Sequence, residues 1–142
     1  MGKRVTGKLL LRLQDASRSG VYRVARTDEV EDAVAGSAIS LVRIKFQEKE
    51  TLLKNIATAL AFPDWFGGNW DALEDCLGDL SWSKAAGHVL LFSEAKPGDD
   101  LGVLTDVLRS SAEFWAGRGK PFFAVFIDPA RSLALPELFR KA

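Results

Sequence analysis

A single cysteine, Cys76, and a single histidine, His88, are all that this sequence offers to thiol or imidazole chemistry. One thiol excludes an internal disulfide and suits a reducing compartment. His88 opens the apolar run His88-Val-Leu-Leu-Phe92 beside Gly87, a setting that reads as structural rather than catalytic. Cys76 has no second cysteine or histidine near it, so neither a zinc site nor a thiol nucleophile is expected. No apolar run approaches the ~20 residues of a membrane span. From Met1 to Gly20 the only apolar cluster is Leu9 to Leu11, cut by Arg12, too short for a signal-peptide core. The chain is therefore read as cytoplasmic, with no membrane partner. Internal repeats and low-complexity tracts are absent too.

The absence that says most is local. From Asn55 to Ser83 there is no base, while Asp64, Asp71, Glu74, Asp75 and Asp79 supply five acids. From Met1 to Arg26 the balance is reversed, with seven bases against Asp15 alone. A formal net charge of zero over 142 residues thus hides two fields of opposite sign, and such fields steer association. Apolar residues at 47% and charged residues at 27% are ordinary for one globular domain, which at this length buries roughly two-thirds of its unfolded surface.

Along the chain, residues 1–20 read as a basic arm closed by the turn-rich Asp15-Ala-Ser-Arg-Ser-Gly20. Val21 to Ala25 is β-prone. Thr27 is placed to cap a helix over Asp28–Val34, whose first turn holds Asp28, Glu29 and Glu31. Ser40–Phe46 reads as a strand, and Leu52, Leu53, Ile56 and Leu60 recur at helical spacing before Pro63. Asn69 to Leu80 reads as a further helix, His88–Phe92 as a strand covered on both faces, Leu101–Trp115 as a helix and Phe122–Ile127 as the last strand. A polar tail with Pro129 and Pro136 follows. Strands alternating with helices predict an α/β fold, a small, mainly parallel β-sheet packed against helices, with Val21–Ala25 as a fourth strand.

The information lies between Phe62 and Leu80. On a helix, Trp70, Leu73, Leu77 and Leu80 form one stripe flanked by Cys76, which must face the core. Asp71 and Asp75 lie one turn apart on nearly the opposite side, with Glu74 beside them. Asp71 is explained equally well by the helix dipole. Asp75 is not: it sits in the second turn, is a poor interior helix former, and repels Asp71 by roughly 0.2–0.5 kcal/mol. Solvated acidic faces normally alternate with Lys or Arg, and this one has neither, so the missing cation is expected outside the chain. Trp65 and Phe66 precede Gly67-Gly68 and the N-cap candidate Asn69. Two adjacent loop aromatics do not easily both point inwards, so one is expected to be exposed, as at a binding hot spot.

The string Trp65-Phe-Gly-Gly-Asn-Trp-Asp-Ala-Leu-Glu-Asp-Cys-Leu77 resembles the signature of the barstar family, intracellular inhibitors of barnase-type ribonucleases. The family pattern has two aromatics, Gly, any residue, Asn, an apolar residue, Asp-Ala-Leu, any residue and Asp-Cys-Leu. Every defining position is filled without a gap. The order of elements from Ser40 to Ile127 also follows the family, about 90 residues, which makes 40–128 the classical part of a domain spanning 21–128. Residues 21–39 are then a strand–helix extension and 129–142 a C-terminal tail. The resemblance implies a bacterial inhibitor with an immunity role, binding a basic ribonuclease 1:1 with no cofactor, metal or catalytic residue. By position it makes Asp71 and Asp75 the carboxylates that fill the nuclease's phosphate-binding site, and Trp65, Phe66, Gly67, Gly68, Asn69 and Ala72 the surrounding contact segment. Two departures are visible. Glu74 stands where the family has a contact Trp, and the Trp that follows the helix is shifted to Trp82. Glu113 falls one position from the family's acid on the last helix.

Other readings fit less well. Asp71 and Asp75 would hold Mg²⁺ through water, but no phosphate-cradling glycine loop accompanies them. A nucleic-acid binder wants bases and aromatics together, whereas Trp65, Phe66 and Trp70 sit in the base-free stretch. The same fold binding a different basic protein is the remaining alternative.

Overall fold

The computed structural model describes residues 2–139. Its centre is a four-stranded, wholly parallel sheet with strand order β1-β4-β3-β2, built from β1 (Gly20–Val24), β2 (Ile39–Lys45), β3 (Gly87–Ser93) and β4 (Phe122–Ile127). The helices are α1 (Gly2–Leu13), α2 (Asp28–Val34), α3 (Lys49–Ala59), α4 (Trp70–Leu77) and α5 (Asp99–Ala116). The two inner strands are the two continuous apolar runs, because a strand covered on both faces has no side that can stay polar. Alternate residues then serve opposite layers. Leu90, Phe92, Phe122, Ala124 and Phe126 pack with α3, α4 and α5, and the Phe92 and Phe126 rings stack at 4.7 Å. Val89, Leu91, Phe123 and Val125 pack with Leu9 and Leu13 of α1 and Val30, Ala33 and Val34 of α2.

The expected fourth strand is in the sheet. It leads through α2 to β2, as anticipated, but its neighbour is β4, in the register Gly20↔Phe123 to Val24↔Ile127. The connection through α2 therefore passes across both inner strands from one edge to the other. Residues 1–20, read as an arm, hold α1, which buries Leu9 and Leu13 beneath the sheet. The bases Lys8 and Arg12, interspersed in the sequence, masked that apolar stripe. The segment read as a polar tail also packs: Leu133 and Leu138 are buried, and Arg23 N–H donates to the Pro136 carbonyl at 2.8 Å along the β1 edge. It is anchored by Asp128, which accepts from the N–H groups of Ser132 and Leu133 at 2.9 and 2.8 Å. Burial pushes the Asp128 carboxyl up, but those backbone donors and the Ser132 hydroxyl outweigh it and hold it below the usual carboxylate range.

Two local expectations are corrected. Thr27 has helical backbone angles and makes no side-chain cap bond. The start of α2 is steadied instead by its acids, with Arg26 pairing Asp28 at 2.5 Å. The helix expected over Asn69–Leu80 ends at Leu77, with Gly78 as C-cap. Leu80, in left-handed backbone (φ 48), reaches the core from the following turn. Among the described residues no helix is long and apolar enough to cross a membrane.

Candidate functional site

The base-free stretch forms one edge of the molecule, made of the α3–α4 loop, α4 and the turn after it. The loop is built on aromatic contacts. Phe62 meets Phe66 edge-on at 5.0 Å and Trp82 at 5.9 Å, and the Trp82 indole N–H donates to the Leu60 carbonyl at 2.9 Å. Trp65 leans edge-on against Trp82 at 6.3 Å and stays 57% exposed, whereas Phe66 turns onto the core. One aromatic in and one out is what the adjacent pair required.

Gly68 has φ +72, a left-handed conformation that a side chain would strain, and it turns the chain into the helix. Asn69 then caps α4: its side-chain oxygen accepts the Ala72 N–H at 2.8 Å. With the start fixed, helical spacing does the rest. Leu73, Cys76 and Leu77 are buried and Trp70 is half-buried against the same core, so Asp71, Glu74 and Asp75 face solvent. Burial raises the Cys76 thiol pKa, and the charges of Asp75 and Asp79 raise it further, which keeps the sulfur protonated and inert.

α4 is braced from behind by α5. The Trp115 indole N–H donates to the Leu77 carbonyl at 2.7 Å, and the Ser110 hydroxyl to Glu74 at 3.1 Å. These supports were not singled out from sequence. Trp115 closes the helix read over Leu101–Trp115, and the signal available was that a buried indole needs an acceptor. Neither Asp71 nor Asp75 has a hydrogen-bond or ion-pair partner among the described residues. The Lys49 ammonium, at the start of α3, lies 6.0 Å from the Trp70 ring centre. Trp65, Gly67, Gly68, Asn69, Asp71, Ala72, Glu74, Asp75 and Trp82 therefore lie along one loop–helix–turn segment, whereas Phe66, expected among the contact residues, is packed beneath it against the core. Glu113 is exposed on α5 but borders a recess with Ser19, Tyr22 and Arg109 on the β1 side, and among the described residues no hydrogen bond or ion pair joins its side chain to α4. His88 is buried, with its Nε2 2.9 Å from the Ser83 hydroxyl. Among the described residues no group of three or more His, Cys, Asp or Glu is placed to hold a metal ion.

The chemistry this surface offers is that of an anion next to an apolar ledge. An α/β protein with a sheet covered on both faces and an unneutralised acidic helix at one edge is the class that fold and site define. Residues 38–127 match the family model described as barstar (barnase inhibitor). The chain belongs to the barstar family. No curated protein shows significant similarity to it.

Proposed function

We infer that the chain is an intracellular inhibitor, not an enzyme, that seats α4 and the Trp65 loop in the active site of a basic ribonuclease, one inhibitor to one nuclease. The observation that carries this reading is the pair Asp71 and Asp75, rigidly displayed one turn apart with no partner among the described residues. A ribonuclease concentrates Arg, Lys and His where substrate phosphates and developing charge must sit. Carboxylates held there stand in for phosphate oxygens, pair with those bases and exclude RNA. Trp65 supplies apolar area at the margin, and its exposure before binding means that area is removed from water only in the complex. Glu74, tied to Ser110, puts a carboxylate where most of the family presents an indole, so the rim of the target should carry a base or a polar group there.

The test is inhibition of a barnase-type nuclease. Asp75→Asn, which keeps shape and removes charge, should weaken inhibition about tenfold to a hundredfold through loss of charge-assisted hydrogen bonds. Full inhibition by Asp71→Asn, Asp75→Asn and Trp65→Ala alike would remove this face from the interaction.

A further inference from the structure

A cavity of about 540 Å³ lies away from α4, and every residue lining it falls outside the 38–127 family match. It opens at the carboxyl ends of the adjacent parallel strands β1 and β4. Beyond β1 the chain enters α2 on the layer shared with α1; beyond β4 it turns so that Leu133 joins the layer of α3, α4 and α5. Adjacent strands whose continuations part to opposite faces leave a crevice at their carboxyl ends, the place where open α/β sheets take ligands. The volume is within the range of small-molecule sites.

The lining has a polar end and an apolar end. Arg23 is the fixed element: its side chain is only 14% exposed, its Nε donates to the Leu135 carbonyl at 3.1 Å, and its Nη2 to Glu137 at 2.9 Å. Arg26 and Arg131 are mostly exposed at the rim; Arg26 is held by both carboxylate oxygens of Asp28, whereas Arg131 lies 3.5 Å from the same Glu137 oxygen that Arg23 already holds. Each arginine has a carboxylate beside it, but two of the lining acids are turned away from the opening. Asp128 is turned onto the backbone of Ser132 and Leu133, and Glu137 is held by Arg23; Asp28 and, more weakly, Glu29 add negative charge at Arg26. Leu9, Val24 and Phe139 form the apolar wall.

We propose that this recess is a second binding site, one that takes a small organic anion whose phosphate or carboxylate head meets Arg23 and Arg131 while its apolar body lies along Leu9, Val24 and Phe139. Arg131 leaves Glu137 to close on the head, and Arg23, which stays where it is, supplies the preorganised donor. The site is separate from the inhibitory face and does not depend on that reading.

Amide NMR titration of the full chain with uridine 5′-monophosphate, benzoate and inorganic phosphate tests it. At least one organic anion should bind saturably and move the signals of Val24, Val30 and Phe139, with inorganic phosphate much weaker. Arg23→Met should lower affinity at least about tenfold, as loss of a charged donor does. Arg131→Ala, an exposed change that leaves the fold intact, should lower it severalfold without altering nuclease inhibition, and Glu29→Gln should raise it. Absence of saturation by both organic anions up to about 10 mM, the weak end of measurable affinity, overturns the proposal. Equal binding of inorganic phosphate overturns it as well, since it indicates an adventitious ion only. So does organic-anion affinity unchanged by Arg131→Ala.

Discussion

His88 shows how one buried side chain gives the fold a pH dependence. The imidazole is enclosed at the start of β3, and burial, with a smaller push from the Lys120 charge, lowers its pKa to about 4. The Ser83 hydroxyl accepts the Ala85 N–H at 3.3 Å, which leaves its proton for His88 Nε2 and suits a neutral ring. The unfolded chain takes up a proton near the ordinary value of 6.5, whereas the folded chain refuses it down to about 4. Stability is therefore full above pH 6.5 and drains as pH falls through that window. The loss approaches about 3 kcal/mol at the bottom if the group acts alone. Urea titrations at pH 7.5 and pH 4.5 should show a steeper decline for the wild type than for His88→Gln. Parallel declines would mean the ring is protonated in the folded state after all. Asp128 acts lower on the scale: its depressed pKa adds stability above the unfolded carboxyl value that disappears as pH falls through the folded one.

At the scale of elements, α4 separates a binding face from a merely solvated one. The i,i+4 pair Asp71 and Asp75 repels itself, Asp is a weak interior helix former, and neither carboxylate has a partner among the described residues. Asp75→Ala should make the free protein more stable by about 0.5–1 kcal/mol while weakening nuclease binding. Asp71→Ala should gain less, because it forfeits the favourable interaction with the helix N-terminus. Thermal unfolding of the free variants beside titration with the nuclease checks both. Destabilisation by Asp75→Ala of more than about 1 kcal/mol would give the carboxylate a structural role instead. This face was legible in the sequence because it depends only on helical spacing and on a short-range cap, Asn69. The left-handed turn at Leu80 was not, since nothing local marks a leucine for positive φ; it is imposed by the core that claims the side chain. Helix α1 was hidden for a related reason. Its stripe of Leu9 and Leu13 is too short to read against the surrounding bases, and only the sheet face it covers gives it meaning.

For the whole molecule, the two-sided sheet decides what the segment ahead of residue 38 is for. Residues 38–127 contain every strand and helix of the family match, yet one face of their sheet shows Val89, Leu91, Phe123 and Val125, and what covers those side chains is α1 and α2. Removing the segment before residue 38 exposes all four and strips β1 from the edge of β4. At about 1.5–3 kcal/mol for each large apolar side chain, the exposure alone is comparable with the whole stability of a domain, about 5–15 kcal/mol. The segment is therefore part of the folding unit rather than an appendage, although it supplies nothing to the acidic face. A fragment beginning at residue 38 should lack a cooperative thermal transition, bind a hydrophobic dye and fail to inhibit a nuclease. Adding back the excised peptide should not fully restore it, because α1 and α2 are short and would have to pay their ordering entropy on binding. Retention by that fragment of a sharp transition within about 2 kcal/mol of the full chain would show that α3, α4 and α5 on the other face suffice to hold the sheet.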